Sequence, residues 1–147
     1  MRDVRWLNVL AAFGLAAGYY LLASLVIERM PFALLPAWLK HASPSDAAAL
    51  ATWFAMLNAV GALVAALPTA FVLGWKSEKP LPLSLAAALI TAVTVVLSGW
   101  AEYGPPTSSL RSFNDAFYFF SLLLALPFWS RLVSHWRGAQ SPGRAHA

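Results

Sequence analysis

The sequence predicts an all-α integral membrane protein: an antiparallel bundle of four transmembrane helices, with an interfacial segment between helices 1 and 2. Three observations predict it. Of 147 residues, 60% are hydrophobic and only 11% charged, whereas an ordinary soluble domain carries about 25% charged residues. The apolar residues gather in four runs, each near the roughly 20 residues that cross a bilayer as helix. The few charges stand at or near the ends of those runs. A soluble fold with so much apolar surface would leave large sticky patches in water; lipid, itself apolar, accepts them.

The first span runs from Trp6 to Ile27 without a charge. It is longer than the apolar region of a signal peptide and no polar cleavage region follows, so it is expected as an uncleaved helix. The connection from Glu28 to Ala42 contains Met30-Pro31-Phe32-Ala33-Leu34-Leu35-Pro36-Ala37-Trp38-Leu39. That stretch is too apolar for a free loop and too short to cross. It is expected to lie in the membrane interface, as a lid on the bundle or a docking surface.

The second span lies within Ala47 to Trp75. Ser43-Pro44-Ser45-Asp46 announces it, with Ser43 expected at the N-cap, Pro44 at the first helical position and Asp46 at the third. Pro68 withholds a backbone bond and is expected to bend this span near Val64. The polar clip Lys76-Ser77-Glu78-Lys79-Pro80 leaves room only for a tight turn into the third span, Leu81 to Ala101. The fourth span, Phe113 to Val133, has its uncharged heart at Ala116 to Ser130. Ser112-Phe113-Asn114-Asp115 repeats the Ser-x-x-acid start signal, with Asp115 expected as part of the cap. Residues 1–137 thus form one four-helix domain, and the tail 138–147, without apolar periodicity, is expected to be disordered.

Lysine and arginine fix the expected orientation. Arg2, Arg5, Lys76, Lys79, Arg131, Arg137 and Arg144 fall on one side, seven in all, against Arg29, Lys40 and Arg111 on the other. The richer side is expected to be cytoplasmic, which puts both termini inside a plasma (inner) membrane. Trp6, Trp75, Trp129 and Trp136 fall at the expected inner boundary, and Trp38, Trp53 and Trp100 at or near the outer one, as an amphipathic ring prefers.

Several chemistries are excluded or left without a basis. There is no cysteine, so neither disulfides nor thiol redox chemistry can operate. The net charge of +4 is scattered rather than clustered, which argues against nucleic acid. His41, His135 and His146 are too dispersed for a metal or haem site. No hydrolase, zinc-protease or P-loop motif occurs. No cofactor, metal or catalytic set is therefore assigned, and enzyme activity is not expected.

Three groups of residues remain as candidates. Gly14 and Gly18, and Ala51, Ala55 and Ala59, are small residues at helical spacing; they suit packing within the bundle, self-association or another membrane protein. Asn58, Thr91, Ser98 and Asp115 would line a polar path, with Ser84, Thr91 and Ser98 recurring on one helix face. Their plainer reading is hydrogen bonding between helices or back to their own helix. Glu28, Arg29, Glu102 and Arg111 are charges expected on the outer face, where ion pairing is the ordinary role. The function expected is that of a small multi-pass protein acting by helix packing with a membrane partner, as an accessory subunit or an immunity-like binding protein. The alternative is a subunit of an oligomeric small-solute transporter or channel.

Overall fold

The computed structural model describes residues 3–33, 37, 46–77 and 80–139, with side chains described for 7–26, 37, 46–75, 77 and 80–138. Every regular element of three residues or more among them is a helix: α1 (Asp3–Ala33), α2 (Ala47–Lys76), α3 (Pro80–Tyr103) and α4 (Ser109–Ala139). Each holds a segment long and apolar enough to cross a membrane: Leu7–Val26, Ala47–Trp75, Pro80–Tyr103 and Ser109–Gly138. Among the described residues the regular structure is thus all-helical, with four candidate spans.

The helix ends differ from the sequence expectation. α1 continues to Ala33, so the first residues of the expected interfacial stretch are helical; the rest of that stretch, Ala37 excepted, lies outside the described residues. α2 begins at Ala47 with Asp46 itself at the N-cap position and no side-chain capping bond. α4 begins four residues before Phe113, at Ser109. The Ser108 hydroxyl accepts from the Arg111 N–H at 3.2 Å, and the Ser108 carbonyl takes the first helical bond, from Ser112 N–H, at 3.0 Å. Ser108, not Ser112, is the cap, and Asp115 stands well inside the helix. Pro105 and Pro106 hold the preceding chain out of helical geometry, so the first serine after them is the one free to cap. The expected disordered tail starts within α4, which runs to Ala139; residues 140–147 lie outside the described residues.

The helices close a ring in the order α1–α2–α4–α3, with the most extensive packing between α2 and α4 and little between α2 and α3. Consecutive helices α2 and α3 are therefore diagonal partners. Asn58 meets Asn114 toward one end, while Trp75 meets Arg137 at the other. Positions rise together on both helices, so α2 and α4 run in the same direction. The tightest pair in the molecule is parallel, and the expected alternation of direction along the chain does not make every packed pair antiparallel.

Alanine makes this narrow arrangement possible. Among the described residues, twelve of the seventeen buried hydrophobic ones are alanine, from Ala12 on α1 to Ala125 on α4. Leucine, valine, phenylalanine and tryptophan instead crowd the exterior, among them Phe13, Leu21, Phe71, Leu97, Phe120 and Phe128. A water-soluble core has the opposite arrangement. Small residues inside let backbones approach for van der Waals contact, the main attraction left between helices when the surroundings are as apolar as the side chains.

Candidate functional site

The interior is held by a few polar bonds between helices. The Tyr19 hydroxyl on α1, fully buried, donates to the carbonyl of Leu122 on α4 at 3.1 Å, with the Ala62 carbonyl on α2 at 3.4 Å as a second acceptor. Thr91 on α3 donates to the Ala16 carbonyl of α1 at 3.1 Å. Asn58 Nδ2 donates to Asn114 Oδ1 at 3.4 Å. Arg137 Nη1 donates to the Trp75 carbonyl at 2.6 Å, supplying a partner to the C-terminal end of α2. Other hydroxyls turn back on their own helix: Ser84 to Leu81, Ser98 to Val95, Thr52 to Ala48 and Thr94 to Ile90. Ser84 and Thr91 are buried while Ser98 is exposed, so the Ser84–Thr91–Ser98 series is not one continuous wall. Tyr19 was not singled out from the sequence, although a hydroxyl in the middle of an apolar span is itself a signal that a partner must exist.

The small residues divide sharply. The inner edge of α1 is Ala12, Ala16, Tyr19 and Ala23, all buried. A Cβ placed on Gly14 or Gly18 would meet nothing within 4 Å. Gly14 is exposed, where it borders a groove of about 450 Å³ lined by Leu15, Val72, Leu73 and Leu83. Ala55 is buried, with Ala51 and Ala59 partly so. Among the described glycines the closest approach to a neighbouring helix is at Gly74, where an added Cβ would stand 2.7 Å from Val133 Cβ and 3.2 Å from the Ser130 carbonyl oxygen. Gly74 ends the buried series Ala62, Ala66, Ala70, Gly74. That series has the same four-residue spacing as Gly14 and Gly18, and so was readable in the sequence.

A partly polar cavity opens between α3 and α4, near the loop that joins them. It holds about 390 Å³ and is lined by Trp100, Tyr103, Arg111, Asn114, Asp115 and Tyr118, together with Val95 and Val96. A second, almost wholly apolar hollow of about 340 Å³ shares Val96, Trp100 and Asp115 with it and extends to Ala116 and Phe119. Asp115 Oδ2 accepts from Trp100 Nε1 at 3.3 Å. Arg111 donates from Nη2 to the Gly104 carbonyl at 2.8 Å and from Nη1 to the Tyr103 carbonyl at 3.2 Å. Gly104, at φ 74°, takes the left-handed conformation that ends α3, and Arg111 satisfies the carbonyls released there. Asp115 is therefore a wall of the cleft rather than a cap.

Of the candidate polar-path residues, Asp115 lines this cleft and Asn58 reaches its edge through Asn114, whereas Thr91 and Ser98 lie elsewhere. Of the candidate charges, Arg111 lines it, while Glu102 is exposed outside it. The side chains of Glu28 and Arg29 lie outside the described residues. No group of three or more His, Cys, Asp or Glu gathers among the described residues. No known family model matches this chain, and neither curated proteins nor solved structures contain a significant match.

Proposed function

We propose that this protein is a multi-pass inner-membrane protein with both termini cytoplasmic, its helices alternating in direction across the bilayer. In this reading it acts without catalysis, by packing against a helix of a membrane partner, as an accessory subunit or an immunity-like binding protein. The observation that carries the reading is the groove at Gly14. It is apolar, about 450 Å³ in size, and bounded by a glycine with nothing within 4 Å of its missing Cβ. A partner helix can lay its backbone there, because glycine removes the side chain that would hold it away. The polar groups that bridge the interior, by contrast, are engaged with backbone carbonyls or with one another, which supports a structural core, while the buried Ser130 hydroxyl and the Nε1 atoms of Trp53 and Trp129 have no partner.

The test is co-purification in mild detergent followed by mass spectrometry, on wild type and Gly14→Leu. A partner retained by wild type and lost by the variant is the expected result. Equal recovery with both would remove the groove from the binding surface. Topology is checked with reporter fusions: Ser77 and Ser141 should read cytoplasmic and Ser108 external, and an external signal at Ser77 would overturn the orientation.

A further inference from the structure

We propose that the α3–α4 cleft is a binding seat for the headgroup of a zwitterionic phospholipid. The inference rests on the membrane setting proposed above, but not on the Gly14 groove.

Arg111 and Asp115 are one helical turn apart on α4, so their side chains are neighbours, about 5–6 Å apart at Cβ. Both line the cleft. A guanidinium carries five N–H donors; two Arg111 nitrogens each donate to a carbonyl, leaving N–H groups for a phosphate. A carboxylate accepts at about four lone-pair positions, of which Trp100 Nε1 takes one on Asp115. Trp100, Tyr103 and Tyr118 line the same cleft as Asp115, and aromatic rings beside a carboxylate favour an ammonium group. The seat thus offers a cation for an anion and, one turn away, an anion beside aromatic rings for a cation. A phosphate and an amine joined by a two-carbon link have that polarity and span.

The second hollow decides between a lipid and a water-soluble zwitterion. It continues from the shared wall of Trp100, Asp115 and Val96 toward Ala116 and Phe119 and is almost wholly apolar. A free headgroup has nothing to place there, whereas an acyl chain does. Size agrees too: about 390 Å³ for the polar part lies within the usual range of roughly 300–1,000 Å³ for small-molecule pockets. Charge complementarity therefore selects the headgroup, and the apolar extension selects the lipid.

Native mass spectrometry of the detergent-solubilised protein, titrated with equal amounts of phosphatidylethanolamine, phosphatidylcholine and anionic phosphatidylglycerol, tests this. Either zwitterionic lipid should be retained at least about tenfold better than phosphatidylglycerol, in keeping with one unpaired charge at a partly desolvated site. Asp115→Asn should bring that ratio near one. Val96→Trp, which fills the apolar hollow without removing a hydrogen bond, should lower retention of all three, and it provides the reading if Asp115→Asn does not fold. Excess glycerophosphoethanolamine, which lacks acyl chains, should not displace the bound lipid. Equal retention of phosphatidylglycerol, an unchanged ratio in Asp115→Asn together with unchanged retention in Val96→Trp, or displacement by the soluble headgroup at lipid-like concentration would each overturn the assignment. Failure in a protein that still fractionates with membranes would sink the lipid seat alone and leave the membrane setting intact.

Discussion

Two stripes of small residues with the same spacing have opposite fates in this molecule. Ala62, Ala66, Ala70 and Gly74 on α2 are buried, and Gly74 touches α4 so closely that a single added carbon would collide with Val133. Gly14 and Gly18 on α1 have empty space where a side chain would be. Spacing of four puts residues on one helix face, but it does not say what that face meets. On α1 the inward edge is Ala12, Ala16, Tyr19 and Ala23, and Tyr19 decides it. Its hydroxyl must find a partner away from the apolar surroundings, and the carbonyls of Leu122 and Ala62 lie inside the ring. Turning Tyr19 inward turns Gly14 outward.

The largest expected effect that would break this contrast is at Gly74. Gly74→Leu forces α2 and α4 apart or displaces Val133, and overpacking of this kind costs about 1–3 kcal/mol. The measurement is thermal or denaturant unfolding in detergent. Val133→Ala in the same background should recover part of the loss, because the clash is with that side chain and the Ser130 carbonyl. A Gly74→Leu protein as stable as wild type would show that the α2–α4 approach is looser than the 2.7 Å contact implies.

Next is Tyr19→Phe, which keeps the ring and removes the hydroxyl. Buried hydrogen bonds contribute about 0.5–1.5 kcal/mol net, and this one joins α1 to two helices at once. A smaller loss is expected for Thr91→Val, which removes only the bond to the Ala16 carbonyl; interhelical bonds in membrane proteins average about 0.6 kcal/mol. If both variants melt with wild type, α1 is oriented by shape alone, and the account of why Gly14 faces outward fails.

How far all this was legible in the sequence follows from the same contrast. Four apolar runs, at a length that fits a bilayer, are a one-dimensional signal, so the four helices could be placed directly. Helix starts were less secure: Ser112 and Ser108 both offer a cap, and only the chain path after Pro105 and Pro106 selects Ser108. Direction of packing was harder still. A five-residue clip between α2 and α3 suggests neighbours, yet an alanine interior makes the ring narrow enough for that clip to join diagonal helices, leaving α2 against α4. The α3–α4 cleft depends on this arrangement. Arg111 and Asp115 were visible as charges and Tyr118 shares their face of α4, but Trp100 and Tyr103 join them only once α3 and α4 are packed together.

The smallest expected effect is the sharpest test of the comparison. Gly14→Leu adds a large side chain at a position with nothing within 4 Å of the new Cβ. Changes at open surface positions usually fall within about 0.5 kcal/mol, and leucine is a better helix former than glycine by several tenths of that unit. The isolated chain should therefore melt with wild type, or slightly above it, while Gly74→Leu falls well below. Both variants carry the same substitution at the same kind of stripe, so side-chain chemistry cancels and only the neighbours differ. Unfolding of the purified monomer is the measurement, because a partner or second copy on the Gly14 groove would add its own loss. A Gly14→Leu monomer destabilised as much as Gly74→Leu would mean that α1 is rotated from the placement described, with Gly14 inside and the Ala12–Tyr19 edge no longer the packed one.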